Sequence, residues 1–323
     1  MRRILLAGLA LLFAAAGPQL ARAQDWPSRP IKLVVPFAPG GTADTLGRVF
    51  AQVLSESLGQ QVYVENRGGA GGMSASAQVA RAEPDGYTLL VSGVASHVIA
   101  PVLSARPEYD PVRNFSHIAY FGGPPIVVVA HPSLGVRTFA QLVALLRSSA
   151  EPLSYGSPGV GTQGHLVAAY LARKLDLKLS HVPYKGASPA MFDLIGGHIK
   201  LASTTWTTAL SHIESGTVIP IAVTAKKRLA GFPEVPTFVE LGLPDLIATT
   251  WFSLSGPPGL PPGIVARLNR EVVKAIDLPE VSAKLAQEGI EAERMDAAAF
   301  RGFVQAEIAR WTPIAKSSGM KAE

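Results

Sequence analysis

Ile31-Lys32-Leu33-Val34-Val35-Pro36-Phe37-Ala38-Pro39-Gly40-Gly41-Thr42-Ala43-Asp44 reads as a buried-type strand, a turn-rich loop and the opening of a helix. Leu46, Val49, Phe50, Val53, Leu54 and Leu58 then recur at helical spacing, and Gly59 stops the helix. A strand over 61–65, a loop over 68–72, a short helix over 74–82 and a strand over 87–91, ending at Ser92-Gly93, complete the unit. The same order returns further on. A strand at 153–155 leads through small residues at 156–164 into an apolar-striped helix at 165–175. A strand at 181–184, a short helix at 188–195 and a strand at 199–202, ending at Ser203-Thr204-Thr205, follow. Gly41 and Gly161 lie 120 residues apart, and Ser92 and Ser203 lie 111 apart. This repeat of element order predicts two similar α/β lobes.

Strands at 126–130, 219–224 and 249–254 and a helix at 138–147 fill the rest, and helices at 262–276, 279–288 and 296–315 close the chain. Strands alternating with helices predict largely parallel sheets, whose ligands bind beyond the carboxyl ends of the strands. The loops at 36–42, 92–97, 156–164 and 203–207 all fall at such ends, so lobes that face each other would line one cleft with them.

The chain has 323 residues, 48% hydrophobic and 16% charged, enough for a full core and unlike a disordered chain. Met1-Arg2-Arg3, the apolar run at 4–17 and the small-x-small site Ala21-Arg22-Ala23 read as a secretory signal peptide over 1–23. Without Arg2, Arg3 and Arg22 there remain 26 basic residues against 24 acidic ones, so the formal charge of +5 falls to about +2. That does not support a nucleic-acid surface. There is no cysteine, so neither a disulfide nor a lipid anchor on cysteine is available, and a hydrophobic core must hold the exported protein.

Gly159-Val160-Gly161-Thr162-Gln163-Gly164 matches G-x-G-x-x-G between a strand and a helix. The acidic residue that a dinucleotide site needs at the end of the next strand is absent; that strand ends in Pro183-Tyr184-Lys185. What survives is the geometry: exposed N–H groups at a helix N-terminus favour a carboxylate or a small oxyanion. Gly40 and Gly41, with Thr42 or Asp44 as a cap, offer the same device in the first lobe. Either loop alone reads as a tight turn with a cap; the matched pair points to a shared anion site.

Catalytic signatures are missing. No G-x-S-x-G elbow or phosphate-binding G-x-x-x-x-G-K loop occurs, and the seven histidines include no H-x-x-x-H pair. No cofactor or metal is expected. His97 and His165 fall at strand-end loops and read as pocket residues or as capping and packing ones. Lys226-Lys227-Arg228 reads as a solvated turn, Trp251-Phe252 as cleft wall, and Phe300, Phe303, Ile308 and Trp311 as a core stripe.

These loops resemble those of the Bug-type, or TctC-like, periplasmic receptors of tripartite tricarboxylate transporters. The resemblance rests on Trp26-Pro27-Ser28-Arg29-Pro30-Ile31, 35–41 with Asp44, Val64-Glu65-Asn66-Arg67, Ala70-Gly71-Gly72 and Pro84-Asp85-Gly86-Tyr87-Thr88-Leu89. It continues through 155–162 with His165-Leu166, His181-Val182-Pro183-Tyr184-Lys185-Gly186, Pro233-Glu234-Val235-Pro236-Thr237, Trp251-Phe252 and Trp311. It implies a two-lobed periplasmic-binding-protein architecture (type II, Venus-flytrap) that binds a small carboxylate between α/β lobes and hands it to an inner-membrane transporter. The limits expected are 24–123 for the first part of lobe 1, 124–225 for lobe 2, and 226–323 for the return to lobe 1 and the C-terminal helices. The resemblance implies a carboxylate held by backbone groups of 37–42 (Phe37, Ala38, Gly40, Gly41, Thr42) and 157–162 (Ser157, Gly159, Gly161, Thr162), with His165 close by and Ser92, Ser96 and His97 on the wall.

One departure stands out. Where many such receptors carry an acid and an amide, this chain has Thr204-Thr205, then Trp206. Threonines supply no charge for an ammonium, which argues against an amino-acid ligand, and Trp206 facing the cleft would suit a flat or aromatic acid. The expected product is a monomeric periplasmic receptor without catalysis. The competing readings are an exported enzyme acting on small organic acids and a receptor feeding a sensor kinase.

Overall fold

A computed structural model describes residues 26–320; the signal peptide expected over 1–23 lies outside the described residues. The first lobe opens with β1 (Ile31–Val35), α1 (Thr42–Leu58), β2 (Val62–Asn66), α2 (Met73–Ala80) and β3 (Thr88–Gly93). A π-helical turn at Ala95–Ile99 runs into α3 (Ala100–Leu103), and β4 (Ser116–Gly122) ends the segment. The chain then crosses into β5 (Ile126–Ala130), α4 (Phe139–Ser148), β6 (Leu153–Ser157), α5 (Gln163–Leu175) and β7 (Leu179–Pro183). α6 (Ala187–Ile195), β8 (Leu201–Thr205), α7 (Trp206–Glu214) and β9 (Ile219–Val223) follow. β10 (Phe252–Gly256), α8 (Pro262–Ile276), α9 (Pro279–Gln287) and α10 (Ala297–Ser317) complete the described chain.

Two five-stranded sheets result, ordered β2-β1-β3-β10-β4 and β7-β6-β8-β5-β9. Matching β1 with β6, β3 with β8 and β10 with β5 makes the two orders identical, which is the duplicated α/β architecture that the repeat predicts. The sheets are mixed, not largely parallel. β1 pairs parallel with β2 and β3, whereas β10 runs antiparallel to both β3 and β4, and β5 antiparallel to both β8 and β9. Each reversed strand is the one that has just crossed from the other lobe, so it enters its sheet from the cleft end. The crossings run side by side: Pro125 bridges Thr249, and Thr250 N–H donates to Pro124 O at 2.9 Å.

Each sheet is clothed by its own helices. Leu33, Leu46, Phe50, Leu89, Leu254 and Leu268 belong to one buried core, and Val128, Tyr155, Val167, Leu171, Leu201 and Phe238 to another. Among the described residues no helix is long and apolar enough to cross a membrane.

Candidate functional site

The lobes meet through backbone. Ala38 N–H donates to Lys185 O at 2.9 Å across the cleft. Gly71 lies so close to Val160 O, and Gly161 to Ala100, that a side chain at either glycine would collide; an added Cβ at Gly161 would sit 2.7 Å from Ala100 Cβ. Thr42 Oγ1 donates to Thr205 Oγ1 at 2.8 Å, and Thr205 is in turn 2.9 Å from Thr208 Oγ1. Thr42 and Thr205 line a cavity of about 40 Å³.

Four helices of at least nine residues begin at this cavity. Gly41 and Thr42 open α1, Thr162, Gln163 and Gly164 open α5, Ala187 opens α6 and Thr205 precedes α7; all of them line the space. The N-caps of α1, α6 and α7 make no side-chain capping bond, so their first-turn N–H groups are not consumed that way. The rest of the wall is Phe37, Ala43, Gly93, Ala95, Ser96, Ile126, Pro158, Thr250 and Phe252. No lysine, arginine, histidine, aspartate or glutamate is among them. Such a wall offers neutral donors and the positive ends of helix dipoles, which is what an anion requires. Phe37 and Pro158 separate this space from a second one of about 260 Å³, lined also by Gly159, Gly161, Tyr184 and Lys185.

Asp44 is buried but occupied. Its carboxylate accepts from Gly40 N–H (3.0 Å), Arg48 Nε (3.0 Å) and Asn66 Nδ2 (2.9 Å). Burial opposes its charge, but the bonds from Arg48, Gly40 and Asn66 outweigh burial and hold its pKa below the ordinary carboxylate value. Asp44 therefore ties the loop and presents no charge to the cavity, and the N-cap position belongs to Gly41. In the second loop Thr162 is the N-cap: its Oγ1 donates to Gly159 O at 2.7 Å and accepts from His165 N–H. Ser157 is buried beneath that loop, hydrogen-bonded to His181 Nε2 at 2.6 Å and to Gly159 N–H at 3.2 Å.

Several anticipated pocket residues are absent from both cleft spaces. Ser92 bonds Ser253 and Ser255 within the first sheet, at 2.7 Å each. His97 is fully buried against Phe115, 4.4 Å between ring centres, and only its neighbour Ser96 reaches the cavity. His165 stacks on His181 at 3.8 Å. Thr204 points away because alternate residues of a strand face opposite sides, which leaves Thr205 at the cleft. Trp206 packs against Phe232 in the second lobe's core.

Trp251 is buried near Phe300 and Phe303 and donates to Glu307 Oε2 at 2.9 Å. It borders a larger space of about 1080 Å³ on the far side of the crossings. That space carries both signs of charge, including Lys226, Lys227, Glu291 and Glu293. Of the Trp251-Phe252 pair only Phe252 lines the cleft. Gln163, Thr250, Ala187 and Ile126 also line the cavity, the last two being helix-start and strand-start residues with no chemical signature in the sequence.

The family model for the tripartite tricarboxylate transporter family receptor, TctC, matches residues 46–320. The chain belongs to the TctC family. It is 34% identical to protein BugT of Bordetella pertussis over 98% of each chain. Among solved structures it resembles the periplasmic binding protein BugD, with a TM-score of 0.88 and 32% identity over 92% of this chain and all of that one. A protein of R. palustris with adipate gives 0.88 at 33% identity, over 92% and 99% of the two chains. MatC of Rhodopseudomonas palustris with bound malate gives 0.85 at 31%, over 90% and 100%. The receptor is thus a solute-binding protein of the two-lobed α/β type, among relatives that are binding proteins, not enzymes.

Proposed function

We propose that this TctC receptor captures a small carboxylate in the interlobe cavity and delivers it, as a periplasmic monomer, to an inner-membrane tripartite transporter. The observation that carries the ligand class is the convergence of four helix starts on a cavity whose lining has no charged side chain. Backbone N–H groups of Thr42, Ala43, Gln163 and Gly164 with the hydroxyls of Thr42 and Thr205 form the proposed donor set, and the 260 Å³ space beyond Phe37 takes the remainder of the ligand. Solved relatives with adipate and malate support the assignment. With Asp44 already saturated, nothing in the cavity offers a charge to an ammonium group, which favours plain over amino-substituted acids.

Export through cleavage after Ala23 belongs to the same reading. So does the first lobe limit, 24–123; Val235, Phe238, Leu243 and Leu246 pack with the second lobe, so that lobe is proposed to run past the expected 225 to about 247, ahead of the return.

The test is thermal unfolding of the protein, refolded to strip any carried ligand, against acetate, succinate, adipate, malate, citrate and benzoate. An acid at about 100 times its Kd raises stability by roughly 2.7 kcal/mol. A selective rise supports the reading; a flat response to every acid, with a rise for a neutral sugar or an amine, defeats it.

A further inference from the structure

We propose that Gln163, pinned by Thr250, is the residue that selects ligands presenting a hydrogen-bond acceptor and turns away their amino-substituted counterparts; this rests on the carboxylate reading above. Gln163 is the first residue of α5, is 1% exposed and lines the cavity. Thr250 Oγ1 donates to its Oε1 at 2.6 Å. That length lies within the range of O–H···O contacts and below that of N–H···O, consistent with the amide oxygen facing Thr250. Nε2 is then turned away from Thr250, buried and without a partner. Buried donors are rarely left unpaired in folded proteins, and a bound acceptor in the cavity this residue lines would complete it.

The pin is itself anchored. Thr250 sits where the two crossings run together, its N–H held by Pro124 O at 2.9 Å, so its hydroxyl reaches Gln163 from backbone tied to the other crossing. With Oε1 engaged, the amide presents only N–H to a ligand. A carboxylate oxygen satisfies it. An ammonium would leave it unpaired, meet the positive end of α5, and find no carboxylate in the wall.

The experiment is calorimetric titration of the refolded protein with the six acids named above and with aspartate, which is succinate bearing an ammonium. Wild type is expected to bind at least one of the acids and to prefer succinate to aspartate. Gln163→Leu, which keeps the bulk and removes the donor, should weaken the acid that wild type binds by about ten- to a hundredfold, as for a bond to a charged group. Thr250→Val should weaken it by roughly two- to tenfold, and Thr250→Ser, which retains the hydroxyl, should restore it. Ligand-free melting of each variant checks the fold; should Gln163→Leu not fold, the Val and Ser pair at 250 decides. Wild-type affinity in Gln163→Leu, equal weakness of Val and Ser at 250, or aspartate bound as well as succinate overturns this inference and leaves the receptor standing. No binding of any acid by wild type overturns both.

Discussion

In the first lobe the loop before α1 is tied by a carboxylate, and in the second the loop before α5 is tied by a hydroxyl. Asp44 gathers Gly40 N–H, Arg48 and Asn66, and leaves its own helix without a side-chain cap. Thr162 caps its own helix and closes on Gly159 O, over a base of Ser157 and His181. Both solutions bring small residues and a helix start to the cavity wall. Sheet order is duplicated across the lobes, yet the side chains that hold the loops are not. The duplicated feature is backbone, and the side chains beneath it are free to differ so long as the N–H groups stay in place.

The largest test of that view is to obstruct the backbone contact itself. Gly161 has φ +75 and touches Ala100 of the other lobe, so Gly161→Val must push the lobes apart or strain the loop. Overpacking of about 1–3 kcal/mol on the closed form corresponds to a roughly 5- to 150-fold loss of ligand affinity. Scattering should show the ligand-saturated variant more open than wild type. Unchanged affinity would mean that ligand is held without this contact.

A second test uses the buried histidines that each lobe carries. In the second lobe burial pushes His165 down to about 3 and His181 to about 4, the two rings stacked on each other with Tyr155 alongside. In the first lobe burial pushes His117 to about 4 and His97 well below its ordinary value; Tyr109, Phe115 and Phe300 pack around them and Arg301 adds its charge. Since these folded pKa values lie below the unfolded value of about 6.5, the unfolded chain binds more protons as pH falls. Stability should be full above about pH 6.5 and decline progressively towards pH 4. Tm measured across that window checks it, and His165→Gln should flatten part of the slope; a Tm that is level from 6.5 to 4 would refute the burial of neutral rings.

What could be read in advance divides along the same line between backbone and side chain. The strand-loop-helix units at 31–58 and 153–175 were legible because apolar periodicity and glycine mark them. β4 was not, since Ser116–Gly122 mixes His117 and Tyr120 with Ile118, Ala119 and Phe121 and carries no polar–apolar alternation. The antiparallel β5 and β10 escaped because their direction depends on which lobe the chain has just left. Side-chain direction was the weakest inference. His97, His165, Trp206 and Trp251 sit near strand ends, but each ring packs against other rings away from the cleft. Gln163 occupies an unspecified position of the G-x-G-x-x-G match, and its partner Thr250 lies 87 residues away in sequence.

Asp44 makes the difference between the loops measurable as stability. Asp44→Ala leaves Gly40 N–H without its acceptor and takes one of two from Asn66 Nδ2, which keeps Phe37 O, whereas Arg48, more than half exposed, recovers water. The expected loss is about 1–3 kcal/mol, or roughly 2–4 °C in Tm for each kcal/mol. An unchanged Tm would show that the first loop needs no such tie.

The smallest effects come from the two threonines at the helix starts, Thr42 and Thr162, and they should fall on different observables. Thr42 Oγ1 bonds across the cleft to Thr205 at 2.8 Å and lies 3.4 Å from Thr208 Oγ1, and those two threonines also bond each other, so Thr42→Val removes the interlobe bonds of this hydroxyl and strands neither partner. It should weaken ligand binding by roughly two- to tenfold and leave the ligand-free Tm close to wild type. Thr162 bonds only within its own loop and helix, so Thr162→Ala should cost about 1 kcal/mol of stability, seen as a lower ligand-free Tm. Measuring both quantities for both variants separates a residue that closes the lobes from one that holds a loop. If Thr42→Val lowered the ligand-free Tm as much as Thr162→Ala does, its bond to Thr205 would be part of the resting fold, not of closure.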